Sequence, residues 1–183
     1  MAAPMFSTRA RYRPILIGLH WLTLLLLVGV YATIELRGLF PRGSDARQLI
    51  KSAHFFLGIS VFALTLPRLL VRLSSPTPPI TPPPPAWQKR AAGAMALSLY
   101  GLMLATPVLG YLLLNAEGTS PALGSWTLPS LIAAQETLGD SLKEWHETIA
   151  VAGYGLIGLH ALAALYHHYV RHDDTLMRMA SRR

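Results

Sequence analysis

Four apolar stretches constrain this chain more than any other feature, because each is long enough to cross a bilayer, which takes about 20 mostly apolar residues. Pro14 to Ile34 carries no charge. The second run, Ser52 to Pro67, lengthens to Leu73 if Arg68 and Arg72 snorkel at the boundary. Ala91 to Ala116 is again uncharged, with Pro107 as a predicted kink, and Thr148 to Val170 closes the set. These runs predict spans near 14–35, 51–73, 91–115 and 146–170. The expected fold class is all-α, an integral membrane four-helix bundle, in one domain over residues 1–183 with no internal repeat. Arg9, Arg11 and Arg13 precede the first run as they would in a signal peptide. That run is too long for one and no small-x-small cleavage site follows, so it is expected to stay as a span.

Composition agrees with a membrane protein. Only 14% of the residues are charged, against about 25% in soluble domains. The net charge of +7 could in principle serve nucleic acid or membrane. Its placement decides. With four spans the termini share a side, and that side holds Arg9, Arg11, Arg13, Arg68, Arg72, Lys89, Arg90, Arg171, Arg178, Arg182 and Arg183. The other side holds Arg37, Arg42, Arg47, Lys51 and Lys143. The positive-inside bias therefore predicts cytoplasmic termini. No basic helix outside the spans and no zinc-finger spacing calls for nucleic acid. The absence of cysteine excludes disulfides, iron–sulfur clusters, thiolate nucleophiles and covalent haem attachment.

The connection from Ser74 to Pro85, SSPTPPITPPPP, lacks backbone donors at seven positions and predicts a stiff strap without helix. The outer segment from Asn115 to Glu147 is broken by Gly118, Pro121, Gly124 and Pro129. Within it, residues 130–139 are expected to form a short interfacial helix over the bundle mouth.

Histidines carry the chemistry. His146 and His160 are fourteen residues apart on one predicted helix, which returns them to within about 40° of one face with a rise of about 21 Å. His54 lies three residues inside Lys51, near the outer mouth. His20 lies seven residues after Arg13, about 10 Å in from the cytoplasmic side. Depth therefore pairs His54 with His146 and His20 with His160. His167, on nearly the same face as His160, could also pair with His20 by depth alone; His160 is preferred because it lies deeper and among small residues. Facing neutral imidazoles suit the axial positions of haem iron. Zinc would want more ligands, and no Asp or Glu lies within the apolar runs Pro14–Ile34, Ser52–Pro67 and Thr148–Val170 that hold His20, His54 and His160. Gly153, Gly155, Gly158, Ala161, Ala164, Gly58 and Gly18 would leave room for a macrocycle, or serve close helix packing. A haem-free metal-ion transporter using the histidines as a relay is a reading from another class.

The segments GLHWL at 18–22, ELRGLFPR at 35–42, the His54 region, PTPPI at 76–80 and SLKEWHETIAVAGYGLIGLHALAALYHHY at 141–169 resemble the bacterial cytochrome b561 proteins, from about Tyr12 to Arg183. The resemblance implies two haem b groups, ligated by His20 with His160 and by His54 with His146. It also implies a bacterial inner-membrane oxidoreductase that passes electrons from periplasmic superoxide to ubiquinone and releases dioxygen. Related four-helix dihaem proteins accept electrons from a redox protein partner instead, which is the alternative reading.

A bis-histidine iron is saturated, so catalysis is expected at the haem edge, with no catalytic side chain. Arg37, Lys51 and Lys143 are the candidates for steering superoxide or pairing with haem propionates. His167, His168 and Trp21 are the candidates for binding quinone, with His167 as proton donor. Glu35 is the candidate proton relay.

Overall fold

The structure, a computed structural model, describes residues 11–119, 122–123 and 126–180. Arg9, Pro121, Gly124, Arg182 and Arg183 lie outside the described residues.

Four long helices are present, and each is long and apolar enough to cross a membrane. Helix α1 spans Pro14–Leu36, with proline at its first position, where the missing N–H costs nothing. A single 3-10 turn follows at Arg37–Leu39. Helix α2 spans Asp45–Leu73 and begins well before residue 51, because Ser44 caps it: the Ser44 hydroxyl oxygen accepts from the Arg47 N–H at 3.3 Å. Helix α3 spans Ala86–Ala116, starting directly after the last strap proline and continuing through Pro107.

Helix α4 spans Glu136–Tyr169 and corrects the sequence expectation in the outer segment. No separate interfacial helix forms over 130–139. Residues 130–135 are irregular, and the rest of that stretch is the first turn of α4. The reason lies in backbone partners. The Leu131 N–H donates to the buried Asn115 side chain at 2.8 Å, and the Gln135 N–H donates to the Ala116 carbonyl at 3.0 Å. This stretch is tied to the end of α3 and not to itself. A two-residue antiparallel pairing, Ala122–Leu123 with Trp126–Thr127, does not alter the all-α class.

Helix α1 packs along α2, α3 along α4, and α2 along α3, whereas α4 makes no comparable backbone approach to α1 or α2. The interior is correspondingly sparse. Among the described residues, the buried hydrophobic side chains are Leu16, Val61, Leu102, Met103 and Ala116. Large apolar side chains such as Leu25, Leu70, Leu97 and Leu162 face outward, as lipid requires. The fully buried Thr23 and Thr65 hydroxyls donate to the carbonyls of Leu19 and Val61, at 2.6 and 2.7 Å, so they bring no unsatisfied group into the bundle.

One end of the bundle is knitted from three distant pieces of chain. The Thr81 N–H of the strap donates to the Asp174 carboxylate at 2.9 Å, and the Asp174 N–H returns to the Thr81 carbonyl at 3.1 Å. The Tyr12 N–H donates to the Arg178 carbonyl, and the buried Arg178 guanidinium lies over the Tyr12 ring at 5.1 Å. Arg72 reaches the same ring, at 5.7 Å. The strap holds neither helix nor strand. Arg68 departs from the snorkelling expectation: its side chain turns into the bundle, toward His20.

Candidate cofactor sites

Two imidazole pairs bridge the gap that α4 leaves open. His20 of α1 faces His160 of α4, ring centroids 6.2 Å apart, and His54 of α2 faces His146 of α4 at 6.3 Å. The interplanar angles are 69° and 75°.

The outer pair is held in a defined tautomer. Nδ1 of His54 lies 3.0 Å from the Val30 carbonyl oxygen, with the Thr33 hydroxyl at 3.2 Å, and Nδ1 of His146 lies 2.9 Å from the Thr106 carbonyl oxygen. A carbonyl only accepts, so each Nδ1 carries the proton and each Nε2 keeps its lone pair. That is how a backbone carbonyl orients a histidine that ligates a metal through its other nitrogen. At the inner pair, Nδ1 of His20 lies 3.0 Å from Nη2 of Arg68, a group that only donates. His160 stands exposed beside its partner.

Around the outer pair lies a cavity of about 540 Å³, walled by His54, His146, Tyr31, Gly58, Thr106 and Gly110 among others. Glycines shape it unequally. A Cβ on Gly110 would stand 2.9 Å from Cε1 of His146. One on Gly153 would meet the Tyr31 hydroxyl and press on Leu102, so Gly153 serves helix packing and not the cavity. Gly18, Gly58, Gly155 and Gly158 face open space.

Paired imidazoles across an open, largely apolar gap fit a flat macrocycle whose iron takes two axial nitrogens. A bare ion fits poorly: among the described residues no group of three or more His, Asp or Glu side chains could hold one. A sequence model described as prokaryotic cytochrome b561 matches residues 11–182. The chain belongs to that family.

Its relatives agree. Cytochrome b561 homolog 1 of Escherichia coli (strain K12) is 42% identical over 173 residues, covering 94% of this chain and 98% of the relative. The probable superoxide oxidase CybB of Yersinia pestis is 40% identical over 169 residues, 92% of this chain and 95% of the relative. Cytochrome b561 homolog 2 of Escherichia coli (strain K12) is 30% identical over 174 residues, 94% of this chain and 93% of the relative. As a cytochrome b561, the protein is a membrane oxidoreductase that binds b-type haem and transfers electrons.

The remaining candidate residues of this cytochrome fall into two groups. Arg37, Lys51 and Lys143 all reach the rim of the outer cavity, together with Glu35, Glu117 and Glu147. Glu35 accepts a hydrogen bond from the Tyr154 hydroxyl at 2.5 Å, and the Tyr154 ring packs on Tyr31 at 4.4 Å. Arg47, by contrast, is occupied in closing the first connection: its guanidinium donates to the carbonyls of Arg37 and Phe40, at 2.9 and 3.0 Å.

At the inner end, Trp21 lies edge-on to His20 at 5.4 Å and its indole N–H donates to the Met179 carbonyl at 2.9 Å, so only its ring is left for a ligand. His167 and His168 do not share an environment. Nδ1 of His167 sits 2.5 Å from the Asp173 carboxylate, while the His168 ring packs on Tyr169 at 4.7 Å. Asp173 is buried, and its second oxygen accepts from the Thr175 N–H at 2.9 Å. Burial alone would push the Asp173 carboxyl up, but the bonds from His167 and Thr175 outweigh it and hold the group below the usual carboxylate range.

Sequence reasoning missed Arg68, Gly110 and Asp173. A signal existed for Arg68, which follows His54 by fourteen residues, the same interval that puts His146 and His160 on one face. None existed for Gly110, whose role depends on the neighbouring helix. Asp173 lies beyond the last apolar run, in a segment hydropathy does not read.

Proposed function

We propose that this single-domain cytochrome, residues 1–183, holds two b-type haems, one between His20 and His160 and one between His54 and His146. In this reading it is a superoxide oxidase of the bacterial inner membrane, with both termini cytoplasmic and ubiquinone as electron acceptor. The observation that carries the reading is the serial placement on α4, where His146 and His160 each face a histidine from another helix. Bound there, haem supplies two one-electron carriers in series.

The chain's own residues do the rest. Arg37, Lys51 and Lys143, at the rim of the outer cavity, raise the local concentration of an anionic substrate or pair with haem propionates. Glu35, bonded to Tyr154, is the candidate proton relay of that rim. At the inner end, Asp173 accepts from Nδ1 of His167, which orients the ring. His167 then hydrogen-bonds a ubiquinone carbonyl and donates a proton there, with the Trp21 ring and His168 beside it. Two superoxide anions leave as two molecules of dioxygen. Their two electrons, with two protons from the cytoplasmic side, convert one ubiquinone to its quinol.

A second reading, electron transfer from a soluble redox protein, rests on a different observation. A hollow of about 500 Å³ on the outer surface is lined by Glu117, Glu136 and Asp140, with Lys143 as its one cation among the described residues. An acidic hollow repels superoxide and suits a basic protein face.

Pulsing the purified, oxidised protein with superoxide while following haem absorbance separates the two. The superoxide reading expects fast haem reduction that slows with salt and when Arg37 and Lys51 are neutralised. Slow, salt-insensitive reduction would favour the protein-partner reading.

A further inference from the structure

The four helices pack in series, α1 on α2, α2 on α3 and α3 on α4. A row of this kind can swing open unless its two ends are joined, and each imidazole pair has one member on α4. At the inner end the tail makes the join, since the Trp21 indole of α1 donates to the Met179 carbonyl beyond the end of α4. Toward the outer end a different device does so. The Tyr31 hydroxyl of α1 donates to the Ala150 carbonyl of α4 at 2.8 Å.

The seat for this phenol is built. Gly153 is buried, and a Cβ there would collide with the Tyr31 hydroxyl, so Tyr31 reaches the α4 backbone only because the position has no side chain. A carbonyl oxygen has two lone pairs, so Ala150 can accept from the phenol as well as within its own helix. The Tyr31 ring packs on Tyr154 at 4.4 Å and borders the outer cavity. Tyr154 ties the same seam to Glu35, but on its exposed side.

The position of Tyr31 gives the bond its task. The residue before it, Val30, supplies the carbonyl that holds Nδ1 of His54 at 3.0 Å. Ala150 follows His146 by four residues, about one helical turn. Both members of the outer pair are thus referred to one point of α1, His54 through Val30 and His146 through Ala150. The Thr106 carbonyl orients the His146 ring, but it belongs to α3, which packs on α4 and would swing with it. The inner pair is remote, because Tyr31 lies eleven residues beyond His20, about 16 Å along α1.

We propose that the Tyr31 hydroxyl is a positioning group for the outer site: it closes α4 onto α1 and so fixes the spacing of His146 from His54. The proposal rests on the ligand pairs assigned above.

The test compares haem release from single-site holoproteins, followed as transfer to an excess of a haem-free globin. His20→Ala keeps only the outer haem and His54→Ala only the inner. Tyr31→Phe keeps the ring and removes one oxygen. It is expected to quicken release of the outer haem by roughly 2- to 10-fold, the range of one lost hydrogen bond, and to leave the inner rate unchanged. The low-spin ferric EPR signal of the outer haem should shift, because it responds to how the axial rings are set, and the inner signal should not. Tyr154→Phe should change the outer rate less than Tyr31→Phe does. Outright loss of the outer haem with the inner retained also supports the proposal. An unchanged outer rate overturns it, as does equal loosening or loss at both sites, which would mark a general role in folding. So does a Tyr154→Phe effect as large as that of Tyr31→Phe. Retention of both haems by His20→Ala is a different result, visible before Tyr31 is touched: it refutes the ligand assignment and removes the basis of the proposal with it.

Discussion

Gly110 of α3 lies directly against the imidazole of His146: a Cβ at this glycine would stand 2.9 Å from Cε1 and 3.2 Å from Nδ1. A free ring could turn away from an added methyl, but one bonded both to the Thr106 carbonyl and to a metal cannot do so without losing one of them. Gly110→Ala is therefore expected to lower haem content toward one per chain, measured as the pyridine haemochrome. Gly93→Ala, which meets nothing within 4 Å, should leave haem content unchanged. It should also firm up α3 slightly, by up to about 1 kcal/mol.

The pairing of histidines makes a sharper demand. Either His54→Ala or His146→Ala should remove one haem and leave the other, and so should either His20→Ala or His160→Ala. The double variant His54→Ala/His146→Ala should still keep one haem, because both residues serve the same site. A haem-free double variant would contradict the pairing, and His167→Ala should keep both haems.

Hydropathy made the four helices legible to within a residue or two where an apolar run ends in proline or at a sharp turn, as at Pro14 and Leu73. It was less informative where a helix runs out of the membrane. The first turns of α2 and α4, Asp45 onward and Glu136 onward, are polar. They are fixed by a Ser44 cap in one case and by the tether between Asn115 and Leu131 just before it in the other. Neither is visible to a transfer scale. The histidine pairs were legible because depth along a helix is simple arithmetic and few polar residues compete. Whether Arg68 points to lipid or into the bundle was not, since a hydropathy scale weighs residues and ignores direction.

The His167–Asp173 pair predicts behaviour at acid pH. Asp173 is held below the usual carboxylate range, so the unfolded carboxyl binds protons more readily than the folded one. Its contribution is therefore complete above the ordinary carboxylate value of about 3.9 and is lost as pH falls through the lowered value. The hydrogen-exchange protection factors of residues 171–180, taken relative to the intrinsic rate at each pH, should fall in that acid range and not on the alkaline side. Asp173→Asn should weaken docking of this segment by about 1.5–3 kcal/mol at neutral pH. It should also slow quinone reduction while leaving superoxide-driven haem reduction intact.

Charge at the outer rim gives the last prediction. Replacing Arg37, Lys51 and Lys143 together by glutamine should cut the second-order rate of haem reduction by superoxide by about 10-fold at low salt. At 1 M salt, where the Debye length is about 3 Å, wild type and variant should converge. Stopped-flow measurement at both ionic strengths checks this, and a gap that persists in high salt would point to propionate pairing instead.

The bond between Tyr12 and Arg178 has a consequence for biogenesis. Tyr12 precedes the first long helix and Arg178 follows the last. The layer that joins them cannot close until all four helices have been made. Until then Trp21, next to His20, is without the Met179 carbonyl that holds it, so a cofactor seated beside His20 has a late and brief window in which to enter, and a chain cut before Arg178 would leave that door ajar.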